Sequence, residues 1–135
     1  PAYFAAEYGH VEMVKLLAEL GANVGTANKN GNTPAWIAAS NGHVKVVRLL
    51  AELGANVETT TRHDVASPPI FAAAMGGHVP VIRLLARLKP GLVTHTHAGY
   101  TAISCAAQGG HFEATKILDI CKYSTDLSLS RAGLA

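Results

Sequence analysis

Histidine is the residue of this chain best suited to chemistry, with seven copies among 135 residues. An imidazole can act as base, proton shuttle or metal ligand near neutral pH, so its placement matters. His10, His43, His78 and His111 each follow a glycine, at spacings of 33, 35 and 33. A residue returning at one slot of every unit has an architectural task. His63 and the pair His95 and His97 stand outside that register, in turn-rich stretches. Imidazoles there have the chemistry to hold a transition metal. No acid or thiol of ligand spacing accompanies them, so no metal and no cofactor is expected. Ser104-Cys105 would need an adjacent base and an orienting third group to act as a nucleophile, and neither is signalled. Cys105 reads as a small apolar residue in an alanine layer, and Cys121 likewise at the end of a longer helix. Gly76-Gly77 and Gly109-Gly110 lack the lysine of a phosphate loop and read as helix-capping positions. No pair of carboxylates recurs in one expected cleft. The chain is therefore expected not to be an enzyme and to take no small-molecule substrate.

The elements that carry these residues follow from the same repetition. An alanine pair precedes each Gly-His at one offset: Ala5-Ala6, Ala38-Ala39, Ala73-Ala74 and Ala106-Ala107. Residues 9–24 and 42–57 differ at only three positions. A short first helix is predicted over about 35–41 in the second unit, favoured by alanine. Its small side chains let neighbouring helices approach closely. Gly42 ends it in a left-handed conformation, and His43 starts a second helix. Lys45, Arg48 and Glu52 then form one exposed stripe, while Val44, Val46, Val47, Leu49, Leu50 and Leu53 cover the rest. So wide an apolar circumference predicts burial against helices on both sides. Polar turn-rich stretches separate the units, as in residues 27–32. The stretch 58–67 carries two extra residues, which a surface loop accommodates at little cost.

This pattern resembles the ankyrin-repeat family, whose repeat of 33 residues carries Thr-Pro-Leu-His-x-Ala-Ala-x-x-Gly-His. Residues 33–43, Thr33-Pro34-Ala35-Trp36-Ile37-Ala38-Ala39-Ser40-Asn41-Gly42-His43, match most of it. Residues 101–111 match with Ala102 in the proline slot, residues 68–78 with Pro68 in the threonine slot, and residues 1–10 from the proline onward. The resemblance implies an all-α solenoid of about four helix-turn-helix repeats with short β-hairpin finger loops. One domain, 1–135, is expected, with repeats at approximately 1–33, 34–68, 69–101 and 102–135. The tail 130–135 resembles the opening of another repeat, so the chain is expected to be a four-repeat piece of a longer array. One departure stands out. The histidine slot after Pro-Leu holds Tyr3, Trp36, Phe71 and Ser104. Packing is the expected role of Phe71. For Tyr3 and Trp36, packing and partner contact both stay open, since each ring also has a polar handle.

Composition narrows the function. Hydrophobic residues make up 49% of the chain and charged ones 15%, which argues for a packed core. The net charge of +2 and the scattered basic residues do not form the concentrated patch that nucleic acid selects. No stretch of about 18 apolar residues exists to insert in a membrane. Two cysteines make no disulfide framework, so an intracellular, cytoplasmic and reducing setting is expected. The resemblance implies a scaffold that binds a partner protein through a concave face and finger loops. The family's contact positions fall here on Glu7, Tyr8, Lys29, Asn30, Asn32, Trp36, Ser40, Asn41, Arg62, Asp64, Met75, His97, Tyr100 and Gln108. The alternatives are a structural subunit of a larger complex and a regulatory array within a multidomain protein.

Overall fold

The computed structural model describes residues 2–29, 31–58, 68–89 and 101–121, and these residues form helices and turns without a strand. The helices alternate short and long: α1 (Ala2–Glu7), α2 (Val11–Glu19), α3 (Pro34–Ser40), α4 (Val44–Glu52), α5 (Pro69–Gly76), α6 (Val79–Leu88) and α7 (Ala102–Gln108). An eighth, α8, runs over 112–121.

The short helices begin where sequence chemistry directs. The Thr33 hydroxyl accepts the Trp36 backbone N–H at 3.1 Å, and Pro34 fills the first turn, where its missing N–H costs nothing. Thr101 caps α7 in the same manner through the Ser104 N–H. Pro68 precedes α5 without a side-chain cap, and Pro69 supplies the fixed φ of its first turn instead. Three alanine pairs then bury completely or nearly so, Ala5 and Ala6, Ala38 and Ala39, Ala73 and Ala74, whereas of the fourth pair Ala106 is buried and Ala107 exposed. Without bulk between them, the short helices stack directly, α1 on α3, α3 on α5 and α5 on α7.

Each short helix also packs on the long helix that follows it, α1 on α2, α3 on α4 and α5 on α6. The long helices form a second layer, α2 beside α4 and α4 beside α6. Val46, Val47, Leu49 and Leu50 of α4 are buried, as are Val81, Ile82, Leu84 and Leu85 of α6. The core is therefore a continuous seam between two helical layers, with Phe71 and Leu118 among its fully enclosed side chains. Lys45, Arg48 and Glu52 lie exposed together, and Leu53, expected on the covered side, is exposed as well, because it caps the C-terminal end of α4.

The first finger is closed by hydrogen bonds rather than by strand pairing. The Asn28 N–H donates to the Asn32 carbonyl at 2.8 Å, and the Gly31 N–H donates to the Asn28 carbonyl at 3.0 Å. The Asn28 side chain accepts the Asn32 N–H at 3.1 Å. The expected β-hairpin is here a tight turn. Asn30 of the first finger, most of the longer second finger with Arg62, His63 and Asp64, and most of the third with His95, His97 and Tyr100 fall outside the described residues.

Candidate partner-binding surface

The candidate contact residues on the helices gather at one kind of place. Tyr8 follows the last residue of α1, Ser40 closes α3, Asn41 caps it, Met75 lies in the last turn of α5, and Gln108 closes α7. Beyond each lies a glycine with positive φ: Gly9 at 74°, Gly42 at 78°, Gly77 at 70° and Gly110 at 74°. Only glycine adopts that conformation without strain, and it turns the chain sharply into the next helix. Tyr8, Asn41, Met75 and Gln108 are exposed, and Glu7 and Ser40 half-buried.

Three of the four histidines that follow these glycines fix this row. His43 Nε2 donates to the Glu7 carbonyl at 3.0 Å, His78 Nε2 to the Ser40 carbonyl at 2.9 Å, and His111 Nε2 to the Met75 carbonyl at 2.8 Å. Each bond runs from one repeat to the backbone of the repeat before it. The Asn41 side-chain amide adds a second donor to the Glu7 carbonyl at 3.0 Å. Helix C-terminal carbonyls have no partner within their own helix, so these imidazoles satisfy groups otherwise left to water. The architectural role expected from recurrence thus has a specific content. The partner of each bond was not visible in the sequence. Its signal is a constant separation of 36 residues, lengthened to 38 where the second finger carries its two extra residues.

The slot after Pro-Leu behaves differently from repeat to repeat. The Tyr3 phenol stands within hydrogen-bonding reach of the Asn28 and Asn32 side chains, which ties α1 to the first finger. Burial is the chief cause that raises its pKa, the Glu7 carboxylate adds to the rise, and the two amides oppose it. Trp36 is half-buried, and its indole N–H is enclosed without an acceptor among the described residues. Phe71 is only 1% exposed and packs in the core, as its apolar ring requires. Ser104 shares a hydrogen bond with the Thr101 hydroxyl at 3.1 Å. Lys29 is exposed on the first finger, and Asn32 is half-buried there.

The chemistry of the described residues is sparse. No three His, Cys, Asp or Glu side chains converge among them. Burial pushes the Cys105 thiol up, opposite to what a nucleophilic thiolate needs. No described helix is long and apolar enough to cross a membrane. The arrangement is thus a row of varied side chains on a regular, hydrogen-bonded lattice.

A family model described as ankyrin repeats in three copies matches residues 1–61, and one described as ankyrin repeats in many copies matches residues 70–118. No curated protein matches the chain significantly.

Proposed function

The chain belongs to the ankyrin-repeat family, whose repeats are in general protein-interaction modules, and on that premise we propose that it is a non-catalytic scaffold holding a partner protein. The contact surface in this reading is the concave face and the finger loops. It comprises Glu7, Tyr8, Ser40, Asn41, Met75 and Gln108 on the helix ends, with Lys29, Asn30, Asn32, Trp36, Arg62, Asp64, His97 and Tyr100 on and beside the fingers. The partner is a protein, met inside the cell, and neither nucleic acid nor a small-molecule substrate is involved.

One observation carries this reading. The backbone at Glu7, Ser40 and Met75 is pinned by the same imidazole bond in three successive repeats, while the side chains at and beside those positions differ in charge, size and polarity. A rigid backbone presenting unlike side chains at regular intervals lowers the entropy lost on binding and leaves specificity to the side chains.

The test is quantitative capture of proteins from the source cell on the immobilised chain. A Tyr8→Ala, Met75→Ala, Gln108→Ala variant changes only exposed side chains and should lose the specifically retained partner at least tenfold. A Lys15→Ala, Arg48→Ala variant on the long helices should keep it. The reverse pattern would place the contact on the other layer.

A further inference from the structure

The carbonyls that anchor the inter-repeat imidazoles are not equally filled. A carbonyl oxygen has two lone pairs. The Glu7 carbonyl uses both, accepting His43 Nε2 and the Asn41 side-chain amide, each at 3.0 Å. Among the described residues, the Ser40 carbonyl accepts His78 Nε2 alone and the Met75 carbonyl accepts His111 Nε2 alone. The difference lies in one residue of the turn. Asn41 stands two positions before His43, and its counterparts before His78 and His111 are Gly76 and Gly109. A Cβ on Gly76 would lie 3.4 Å from the Ser40 oxygen, and one on Gly109 3.2 Å from the Met75 oxygen. A side chain in either place would thus stand beside the acceptor, as Asn41 does. Glycine leaves that approach bare, and both glycines are exposed.

Charge selects the donor that fits there. Ser40 and Met75 lie in the last turns of α3 and α5. Helix ends of this kind carry partial negative charge, from carbonyls without an N–H in their own helix. No lysine or arginine lies at or next to Glu7, Ser40, Met75 and Gln108, and Glu7 adds a carboxylate. A cation is therefore favoured over a neutral donor. A guanidinium joins that charge to N–H groups held in one plane. Its aliphatic stem can lie against the Met75 side chain, which is 60% exposed. Spacing selects the segment. Packed helices lie about 8–10 Å apart, which sets the span between acceptors on adjacent short helices. A polyproline-type segment rises about 3.1 Å per residue and repeats its face every third residue, so arginines three apart fall about 9 Å apart on one side.

We propose that the open carbonyls of Ser40 and Met75 bind two arginine side chains of an extended Arg-x-x-Arg segment in the partner protein. Each guanidinium takes the place that the Asn41 amide holds at Glu7. This inference rests on the scaffold reading above and adds to it the chemistry of the partner.

The test uses the full chain and a fluorescent peptide with Arg-Pro-Pro-Arg at its centre. Binding should move the carbonyl 13C shifts of Ser40 and Met75 and leave that of Glu7 in place. Gly76→Asn and Gly109→Asn, which rebuild the Asn41 arrangement, should each weaken binding about tenfold. Citrulline in place of both arginines, which keeps N–H donors without the charge, should weaken it by about as much. Asn41→Gly opens a third acceptor. It should tighten a peptide of sequence Arg-Pro-Pro-Arg-Pro-Pro-Arg about fivefold and leave the two-arginine peptide within about twofold. Circular dichroism shows whether Gly76→Asn or Gly109→Asn unfolds the chain, and the Asn41→Gly gain then decides the question. Unmoved Ser40 and Met75 carbonyl shifts, equal binding of the citrulline peptide, or no gain from Asn41→Gly would each overturn the proposal. If a captured cellular partner still depends on Tyr8, Met75 and Gln108 in that event, the scaffold reading stands and this inference alone fails.

Discussion

His78 Nε2 lies 2.9 Å from the carbonyl oxygen of Ser40, a residue 38 positions earlier and one repeat away. Its ring also rests on the bare Cα of Gly42. One side chain thus joins the end of α3 to the start of α6 by polar and steric contact together.

His78→Ala should therefore weaken the stack where the second and third repeats meet. Loss of a neutral hydrogen bond to a part-buried carbonyl, with the ring's packing, costs about 1–2 kcal/mol. Urea unfolding should show a lower midpoint with an unchanged slope. His78→Gln, which retains a donor, should recover part of the loss. A midpoint equal to that of the unsubstituted chain would mean that water replaces the imidazole without penalty.

Two glycines of like conformation separate backbone strain from steric fit. Gly42 and Gly54 have φ of 78° and 85°. A Cβ at Gly54 meets nothing within 4 Å, whereas one at Gly42 would sit 2.6 Å from His78 Nδ1. Gly54→Ala should cost only the left-handed strain, about 1–2 kcal/mol. Gly42→Ala should cost clearly more and also shift the His78 ring resonances. Equal losses in thermal unfolding would show that the ring moves aside freely.

The alanine pairs, the Gly-His register and the exposed Lys45, Arg48 and Glu52 stripe were legible in the sequence because each depends on local periodicity. Phe71 was legible as core for the same reason: a ring without a polar group, in a short apolar helix, has only the interior to enter. The imidazole-to-carbonyl bonds were not legible. Sequence gives donors and acceptors on every residue, and only the stacking geometry selects Glu7, Ser40 and Met75. Nor did the sequence show that Asn32, placed among the contact residues, faces the Tyr3 phenol. Finger conformation depends on a few turn residues such as Asn28 and Gly31, for which a hairpin and a tight turn share the same composition.

Cys105 gives a prediction in pH. Burial raises its pKa in the folded chain. The thiolate is thus less favoured folded than unfolded, and the contribution of this group to stability runs one way. It is neutral below the unfolded thiol pKa of about 8.5 and increasingly unfavourable as pH rises through the range between the unfolded and folded values. At pH 8.5, iodoacetamide should modify Cys105 more slowly in the folded chain than in urea, as followed by peptide mass spectrometry. Equal rates would show that the folded thiol ionises as freely as the unfolded one.

The acceptor of each inter-repeat imidazole is a main-chain oxygen, and a main-chain oxygen is supplied by any amino acid. Positions 7, 40 and 75 can thus be randomised without asking the lattice to re-form its bonds around a new side chain. A combinatorial library drawn at these sites, with the glycines and histidines held constant, would vary what the protein grips while conserving how it folds.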